Sequence, residues 1–453
     1  MGNGKGINRR QFVQQSAALG PSIQAAGKSA AEGGSTPGNK ITVGMIGVGA
    51  RAHQTMETIL SIPGTEITAI CDCYQGRIQR ALERTGARAK VYPDYRQILA
   101  DKSIDVAVIS TPDHWHKDQA VEAVRAGKDV YIEKPLTYAI DEGNVIVEEV
   151  KKAKRILQVG SQGMSSTLQR KAREVIQSGR LGNVTMIRAS FNRNTAGGAW
   201  VYPIPPDASP QSVNWDQFLG PAPKRPYDAA RFFRWRCYWD YSGGASTDLF
   251  VHLMTTIHFL MDARGPQSVL ALGGLLHRKD GREVPDTLSA CLQYPPCKSS
   301  TEGLVISLNG TFNNEMAGES GFQILGTEGS LILGAEEMTF SPERANEDNR
   351  WIVDSWPSAL EKAYYQDPKI MASEIPASRK PRVLSSVEKW VEEGRGGEYL
   401  HLAAFFDSVK SRQAPLQDAL AGHRAAAVAH MVNLSYKGKK TIYWDPNREN
   451  VKI

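Results

Sequence analysis

Apolar residues follow two rhythms along the chain, and the change between them falls near residue 184. Before it, short unbroken apolar runs at 41–46, 66–70, 105–110 and 129–132 alternate with helical spacing at 53–60 and 119–126. A strand that is apolar on both faces must be covered on both, so this half predicts a doubly wound parallel sheet between helices. After residue 184 the strands alternate apolar with polar, at 184–191, 268–276, 287–294, 303–312, 322–325 and 330–333. That period with short connections predicts an α+β domain built on a large, open, mostly antiparallel sheet with one face against helices. Helices are expected at 249–262, 401–409 and 422–436, the last with Ala425, Ala426 and Ala427 permitting close packing.

The fold class is therefore α/β, with residues 41–160 as the first domain, 161–453 as the second and 1–40 as a leader outside both. Residues 336–395 are polar, interrupted by prolines, and give no readable pattern. The hydrophobic fraction of 41% and charged fraction of 23% are ordinary for globular chains and exclude collagen-like, heptad-repeat and disordered classes. No apolar run reaches the roughly 18 to 20 residues a membrane span requires. The formal charge is +6, but Lys5, Arg9, Arg10, Lys28 and Lys40 against Glu32 place +4 of it in the leader. The remaining +2 offers no electrostatic reason to expect nucleic acid as partner. Cys71, Cys73, Cys237, Cys291 and Cys297 include no Cys-x-x-Cys pair, which argues against a disulfide scaffold and a structural zinc site.

Within the leader, Arg9 and Arg10 precede Phe12 and Val13, and small residues follow up to Ser29, Ala30 and Ala31. This resembles a twin-arginine export signal, and the expected location is periplasmic. Gln14, Gln15, Pro21 and Gln24 weaken the apolar stretch, so an untargeted tail on a cytoplasmic protein is the competing reading.

The first apolar run leads into Gly47, Val48, Gly49, Ala50, Arg51 and Ala52, then a helix. Gly47 allows the tight turn, Gly49 lets backbone approach a pyrophosphate, and Ala52 is small enough for helix-on-strand packing. The helix N-terminus adds amide donors for the phosphates. Asp72, 25 residues after Gly47, is placed to grip a ribose 2′-hydroxyl, which favours NAD. Arg77 nearby could accept a 2′-phosphate and keeps NADP open. His114 and His116, in the loop after the strand at 105–110, are read as lining the nicotinamide pocket; without a carboxylate or cysteine partner in evidence, no metal is expected. Lys134 ends the strand at 129–132, where an ammonium can donate to a substrate oxygen that gains negative charge.

In the second half, Asp248 and His252 are four apart on one helix face. Asp248 could be merely a helix cap, but a segment apolar all round is buried, and a buried His and Asp need a reason. His258, on another face, is read as core. Residues 200–241 are dense in aromatics and arginines, which stack on sugar rings and bind hydroxyls or carboxylates. Trp200, Arg234 and Tyr241 are the candidate substrate contacts there, although any one of these residues could equally be holding an irregular loop together.

Glu133-Lys134-Pro135, Thr111-Pro112 with His116, the strand from Gln158 to Gln162, Gly326-Thr327-Glu328-Gly329 and Trp444-Asp445-Pro446 together resemble the Gfo/Idh/MocA oxidoreductases over nearly all of residues 41–446. The resemblance implies an N-terminal Rossmann domain, with the stretch 415–446 packing back on it, and assembly as a homodimer or homotetramer. It implies Lys134, Asp248 and His252 as catalytic, with His252 taking the substrate proton and Asp248 orienting its ring or binding a neighbouring hydroxyl. It places Gly47, Gly49, Ala52, Asp72, Arg77, Thr111, His116, Glu133, Lys134 and Gln162 around the cofactor, and Lys134 and Gln162 near the substrate as well. The activity implied is hydride transfer between nicotinamide and a secondary hydroxyl of a sugar, polyol or glycoside. The alternative is an NAD-dependent glycoside hydrolase working through transient oxidation and elimination. Export of the folded chain adds that NAD travels tightly bound, since no free pool is expected outside the cytoplasm.

Overall fold

The computed structural model describes residues 40–314, 321–343, 350–369 and 387–452. The leader, with its arginine pair, lies outside them. Six strands, β1 (Ile41–Ile46), β2 (Thr65–Cys71), β3 (Lys90–Val91), β4 (Val106–Ile109), β5 (Asp129–Glu133) and β6 (Leu157–Gly160), form a sheet in the order β3-β2-β1-β4-β5-β6. All its pairings are parallel. β4 and β5 are buried at every position, as a strand covered on both faces requires. Strand order reverses between β1 and β4, so their carboxyl ends open the crevice where ligands bind in such sheets. Helices α1 (Ala50–Ser61), α2 (Gln75–Arg84), α3 (Tyr95–Ala100), α4 (His116–Arg125) and α5 (Glu142–Ala153) link the strands.

The second sheet has ten strands: β7 (Val184–Ser190), β8 (Ser268–Gly274), β9 (Thr287–Tyr294), β10 (Leu304–Thr311), β11 (Gly321–Gly326), β12 (Gly329–Leu333), β13 (Glu337–Pro342), β14 (Glu388–Val391), β15 (Ile442–Asp445) and β16 (Asn450–Val451). Their order is β14-β13-β12-β11-β7-β10-β9-β8-β15-β16, antiparallel throughout except for β7 beside β10. In β9 every second residue is buried, and Leu288, Ala290, Leu292 and Tyr294 form the inward row. Against that face pack α6 (Thr167–Gln177), through Leu168, Ala172, Val175 and Ile176, and α7 (Val251–Met261), through Met254 and Ile257. The strands expected from alternation all form. β13 and β14 were not visible in the pattern because they sit in the polar stretch 336–395 and pair at one end of the sheet, where few of their residues are buried.

Two C-terminal helices join the halves. α8 (Gly397–Ser411) buries His401, Leu402, Phe405 and Phe406, and packs against α1 and the first sheet; the Phe405 and Tyr131 rings are 5.5 Å apart. α9 (Ala419–Gly438) lies between the sheets, in contact with α5 and β6 on one side and β8 and α7 on the other. Its approach to α5 is so close that a Cβ on Gly143 would sit 1.8 Å from the His423 ring, so only glycine fits there. His258 is a core residue, with its ring nitrogen 2.7 Å from the Tyr294 hydroxyl. Phe405→Ala is expected to destabilise the chain by about 3–5 kcal/mol, because it empties a fully buried site between α8 and the first sheet. Denaturant unfolding checks this, and a loss below about 1 kcal/mol would show that α8 contributes little to the core.

Candidate active site

The cofactor end of the site grows from the carboxyl ends of β1, β2 and β4. Gly47 has φ +80, and a Cβ there would meet the Ser110 carbonyl oxygen at 2.9 Å, so the turn needs glycine. Gly49 is the N-cap of α1, which has no side-chain cap and no acidic residue in its first turn. Its leading amides are therefore free for an anion. Asp72 accepts from the Val48 N–H at 2.8 Å and the Tyr74 N–H at 2.9 Å, which ties the glycine turn to the end of β2. Its oxygens keep lone pairs for a hydroxyl donor. Arg77 lies 3.9 Å from Asp72 and over the rings of Phe232 and Phe233, at 5.1 and 5.4 Å. A glycine turn, free helix amides, an aspartate and an aromatic wall fit a dinucleotide.

From there a cavity of about 520 Å³ runs past Thr111, Glu133 and Gln162 to Lys134, Asp248 and His252. Glu133 accepts from Arg51 Nε at 2.8 Å and Gln162 Nε2 at 3.3 Å, and Arg51 also pairs with Glu398 of α8 at 3.0 Å. Lys134 Nζ donates to Asp248 Oδ1 at 2.6 Å and to the Asp248 carbonyl oxygen at 2.8 Å. Arg236 Nε donates to the same Oδ1 at 3.0 Å, and Trp200 Nε1 to Oδ2 at 3.2 Å. Burial alone would raise the Asp248 carboxyl, but the opposing pull of Lys134 and Arg236 holds it well below the usual carboxylate range. Burial, with Lys134 second, drives His252 down to about 3, so its imidazole is neutral. Among the described residues no three His, Cys, Asp or Glu side chains converge as metal ligands.

Lys134, Asp248 and His252 come together at one end of the cavity, and Gly47, Gly49, Asp72, Arg77, Thr111, Glu133 and Gln162 also line it. Several expected contacts are different in kind. Ala52 is fully buried in the packing of α1 and has no face on the cavity. His116 is buried with its ring nitrogens 2.6 Å from the Pro135 carbonyl oxygen and 2.9 Å from that of Thr111. It braces the Lys134 turn from behind rather than lining the cofactor site. His114 likewise sits inside, 2.9 Å from the Phe218 carbonyl oxygen. Tyr241 is enclosed between His114 and Phe218. Trp200 holds Asp248 from the protein side, and Arg234 donates to the Tyr202 carbonyl oxygen at 2.8 Å. Among the described residues Asp248 makes no hydrogen bond to His252, whose ring instead lies 6.4 Å from that of Phe191.

Among the described residues, the arginines that line the cavity are Arg51, Arg77, Arg193 and Arg236, of which only Arg77 was singled out by position. Nothing in the local pattern separates Arg236 from Arg234; a short 3-10 turn at Trp235–Cys237 decides which one faces Asp248. The helix expected over 249–262 is preceded by one wide turn, Ser246–Phe250, that carries Asp248.

Residues 41–161 match the model for an oxidoreductase family with an NAD-binding Rossmann fold, and residues 173–443 match that family's C-terminal alpha/beta domain. The chain belongs to the Gfo/Idh/MocA oxidoreductase family. Its first domain is that family's NAD-binding domain, and NAD(H) is its cofactor. An inositol 2-dehydrogenase from Salmonella paratyphi B is 31% identical over 176 residues, 38% of this chain and 50% of the relative. The chain thus spans about half the length of the inositol 2-dehydrogenases it matches. An alpha-N-acetylgalactosaminidase from Shewanella oneidensis is 31% identical over 123 residues, 25% of this chain and 27% of the relative. The structure of a levoglucosan dehydrogenase, solved with NADH and levoglucosan, superposes with a TM-score of 0.64 at 18% identity, over 89% of this chain and 99% of the other. That likeness is one of fold.

Behind Lys134 and Asp248 lies Asp113, buried and accepting from the Thr247 hydroxyl at 3.4 Å. Burial, against the pull of Arg236, pushes its carboxyl from 3.8 up to about 7. Between those values the folded chain keeps a proton that the unfolded chain releases, so stability falls as pH rises from about 4 to 7. Asp113→Asn, which has no proton to lose, is expected to gain in melting temperature relative to wild type across that window. Parallel melting curves for the two proteins would contradict this.

Proposed function

We propose that the protein exchanges hydride between NAD and a secondary hydroxyl of a sugar, polyol or glycoside. The observation that carries this is the convergence of the Lys134 ammonium, the neutral His252 imidazole and the Asp248 carboxylate at the end of the cavity opposite Asp72 and Arg77. Bound along Gly47, Gly49 and Asp72, NAD supplies the redox chemistry. The chain supplies the rest. Asp248 anchors Lys134 so that its ammonium stays at the wall, donating to an oxygen that becomes carbonyl-like. His252, neutral because it is buried beside a cation, offers an acceptor nitrogen for the hydroxyl proton. Trp200 and Arg236 hold Asp248 from two further directions, so the carboxylate keeps its place when substrate arrives. Glycoside hydrolysis through transient oxidation would draw on the same groups, but the glycosidase similarity covers too little of the chain to favour it.

Lys134→Ala is expected to lower kcat by about 100-fold or more while NADH still binds, as read by fluorescence titration. Full turnover in that variant would sink the assignment.

We also propose that residues 1–40 direct twin-arginine export with the cofactor aboard; the Arg9-Arg10 pair and the small residues after it support this. Replacing both arginines with lysine is expected to leave the chain in the cytoplasm. Protein recovered from the periplasm should release about one equivalent of dinucleotide on denaturation, because an exported chain has no pool to draw on. A leader that exports equally well with two lysines, or exported protein without dinucleotide, would overturn the proposal.

A further inference from the structure

The end of the cavity that holds Lys134 carries more positive than negative charge. Lys134, Arg193 and Arg236 line it together with Asp248. The single oxygen Oδ1 of Asp248 takes Lys134 at 2.6 Å and Arg236 at 3.0 Å, so one carboxylate answers two cations. Asp113 is enclosed behind the wall and is driven toward its neutral form by burial. Elsewhere along the cavity the cations are matched: Arg51 has Glu133 and Glu398, and Arg77 has Asp72.

Arg193 is different. Its Nη1 donates to the Gly198 carbonyl oxygen at 3.2 Å, and its guanidinium lies over the Phe191 ring at 4.9 Å. Among the described residues no carboxylate forms an ion pair with it, although it acts electrostatically on both Asp248 and His252. Arg236 lies over the Trp235 ring at 4.2 Å and gives Nε to Asp248; its terminal nitrogens make no hydrogen bond among the described residues. Both guanidinium groups are thus held against aromatic faces and border the cavity with N–H groups to spare. Arg225 and Arg231, from the same aromatic segment as Arg236, are instead paired with Asp240, and Arg231 with Glu283 as well. A guanidinium fork matches the two parallel oxygens of a carboxylate, which a neutral sugar lacks.

We propose that the substrate is an anionic carbohydrate of the uronate class, its carboxylate docking on Arg193 with help from the free terminal nitrogens of Arg236. This rests on the reading of that end of the cavity as the substrate end, and it narrows the substrate class. The test is calorimetric titration of the NADH-loaded protein, in which a hydroxyl substrate has no hydride acceptor, with glucuronate, galacturonate and mannuronate, each against its neutral parent sugar, and with glucose 6-phosphate. At least one uronate is expected to bind roughly tenfold or more tightly than its parent, the size of a charge-assisted hydrogen-bonded contact. In Arg193→Gln that ratio should fall toward one, and Arg193→Lys, which keeps the charge but not the fork, should fall between. Thermal melting confirms that both variants fold. The proposal is overturned if every parent sugar binds as tightly as its uronate, if Arg193→Gln leaves the ratio unchanged, or if glucose 6-phosphate binds more tightly than all three uronates. Because binding is read without turnover, a uronate held through Arg193 but never oxidised would refute hydride transfer and leave this inference standing. A neutral sugar oxidised in a Lys134-dependent way, with no uronate preference, would do the reverse.

Discussion

Lys134 and Asp248 meet across the junction of the two sheets, and the arrangement of the site depends on that contact. Lys134 follows the last residue of β5, while Asp248 sits in the wide turn before α7, so an ion pair of 2.6 Å links the parallel sheet to the helical layer of the second. Both side chains are about nine-tenths covered, and removing two charges from water is costly unless their other hydrogen-bonding groups are also satisfied. Here most of them are. Nζ takes the Asp248 carbonyl oxygen as well, and the carboxylate also accepts from Arg236 and Trp200. Such a pair fixes position strongly even where its net contribution to stability is small.

Much of the aromatic segment serves that junction indirectly. Phe218, Phe232 and Phe233 reach the cavity, but Tyr241 and His114 are buried behind Phe218, and Trp215 stacks on Phe218 at 5.1 Å. Trp200 stands in the same relation to Asp248. These rings work as a wall: they exclude water from the back of the site, lowering the local dielectric and strengthening the electrostatic contacts at its face. The depressed His252, the raised Asp113 and the held Asp248 are three expressions of that enclosure.

The C-terminal helices complete the site from the far end of the chain. α8 brings Glu398 to Arg51, at the start of α1, and through Arg51 steadies Glu133, the residue next to Lys134. α9 fills the space between the two layers with alanines and one glycine-enabled contact on α5. The cavity is therefore framed by residues separated by more than 300 positions in sequence, as the Arg51 to Glu398 contact shows.

What the sequence determined by itself is whatever depends on local periodicity and on backbone chemistry. Runs buried on both faces specified the parallel sheet, alternation specified the second, and Gly47 with its successors specified the dinucleotide turn, because each is written within a few consecutive residues. Lys134, Asp248 and His252 were legible for a related reason: each lies at a strand end or helix start where a charged side chain in apolar surroundings stands out. What only tertiary structure decided is which polar groups face the cavity and which face protein. His116, Trp200, Arg234 and Tyr241 are of the right chemical types, yet the carbonyls, carboxylate and rings that occupy them come from distant segments. Arg193 and Arg236 became site residues through the packing of loops on Phe191 and Trp235 and through the position of Asp248. A side chain's direction and its unmatched charge are properties of long-range packing, which no local pattern of residues encodes.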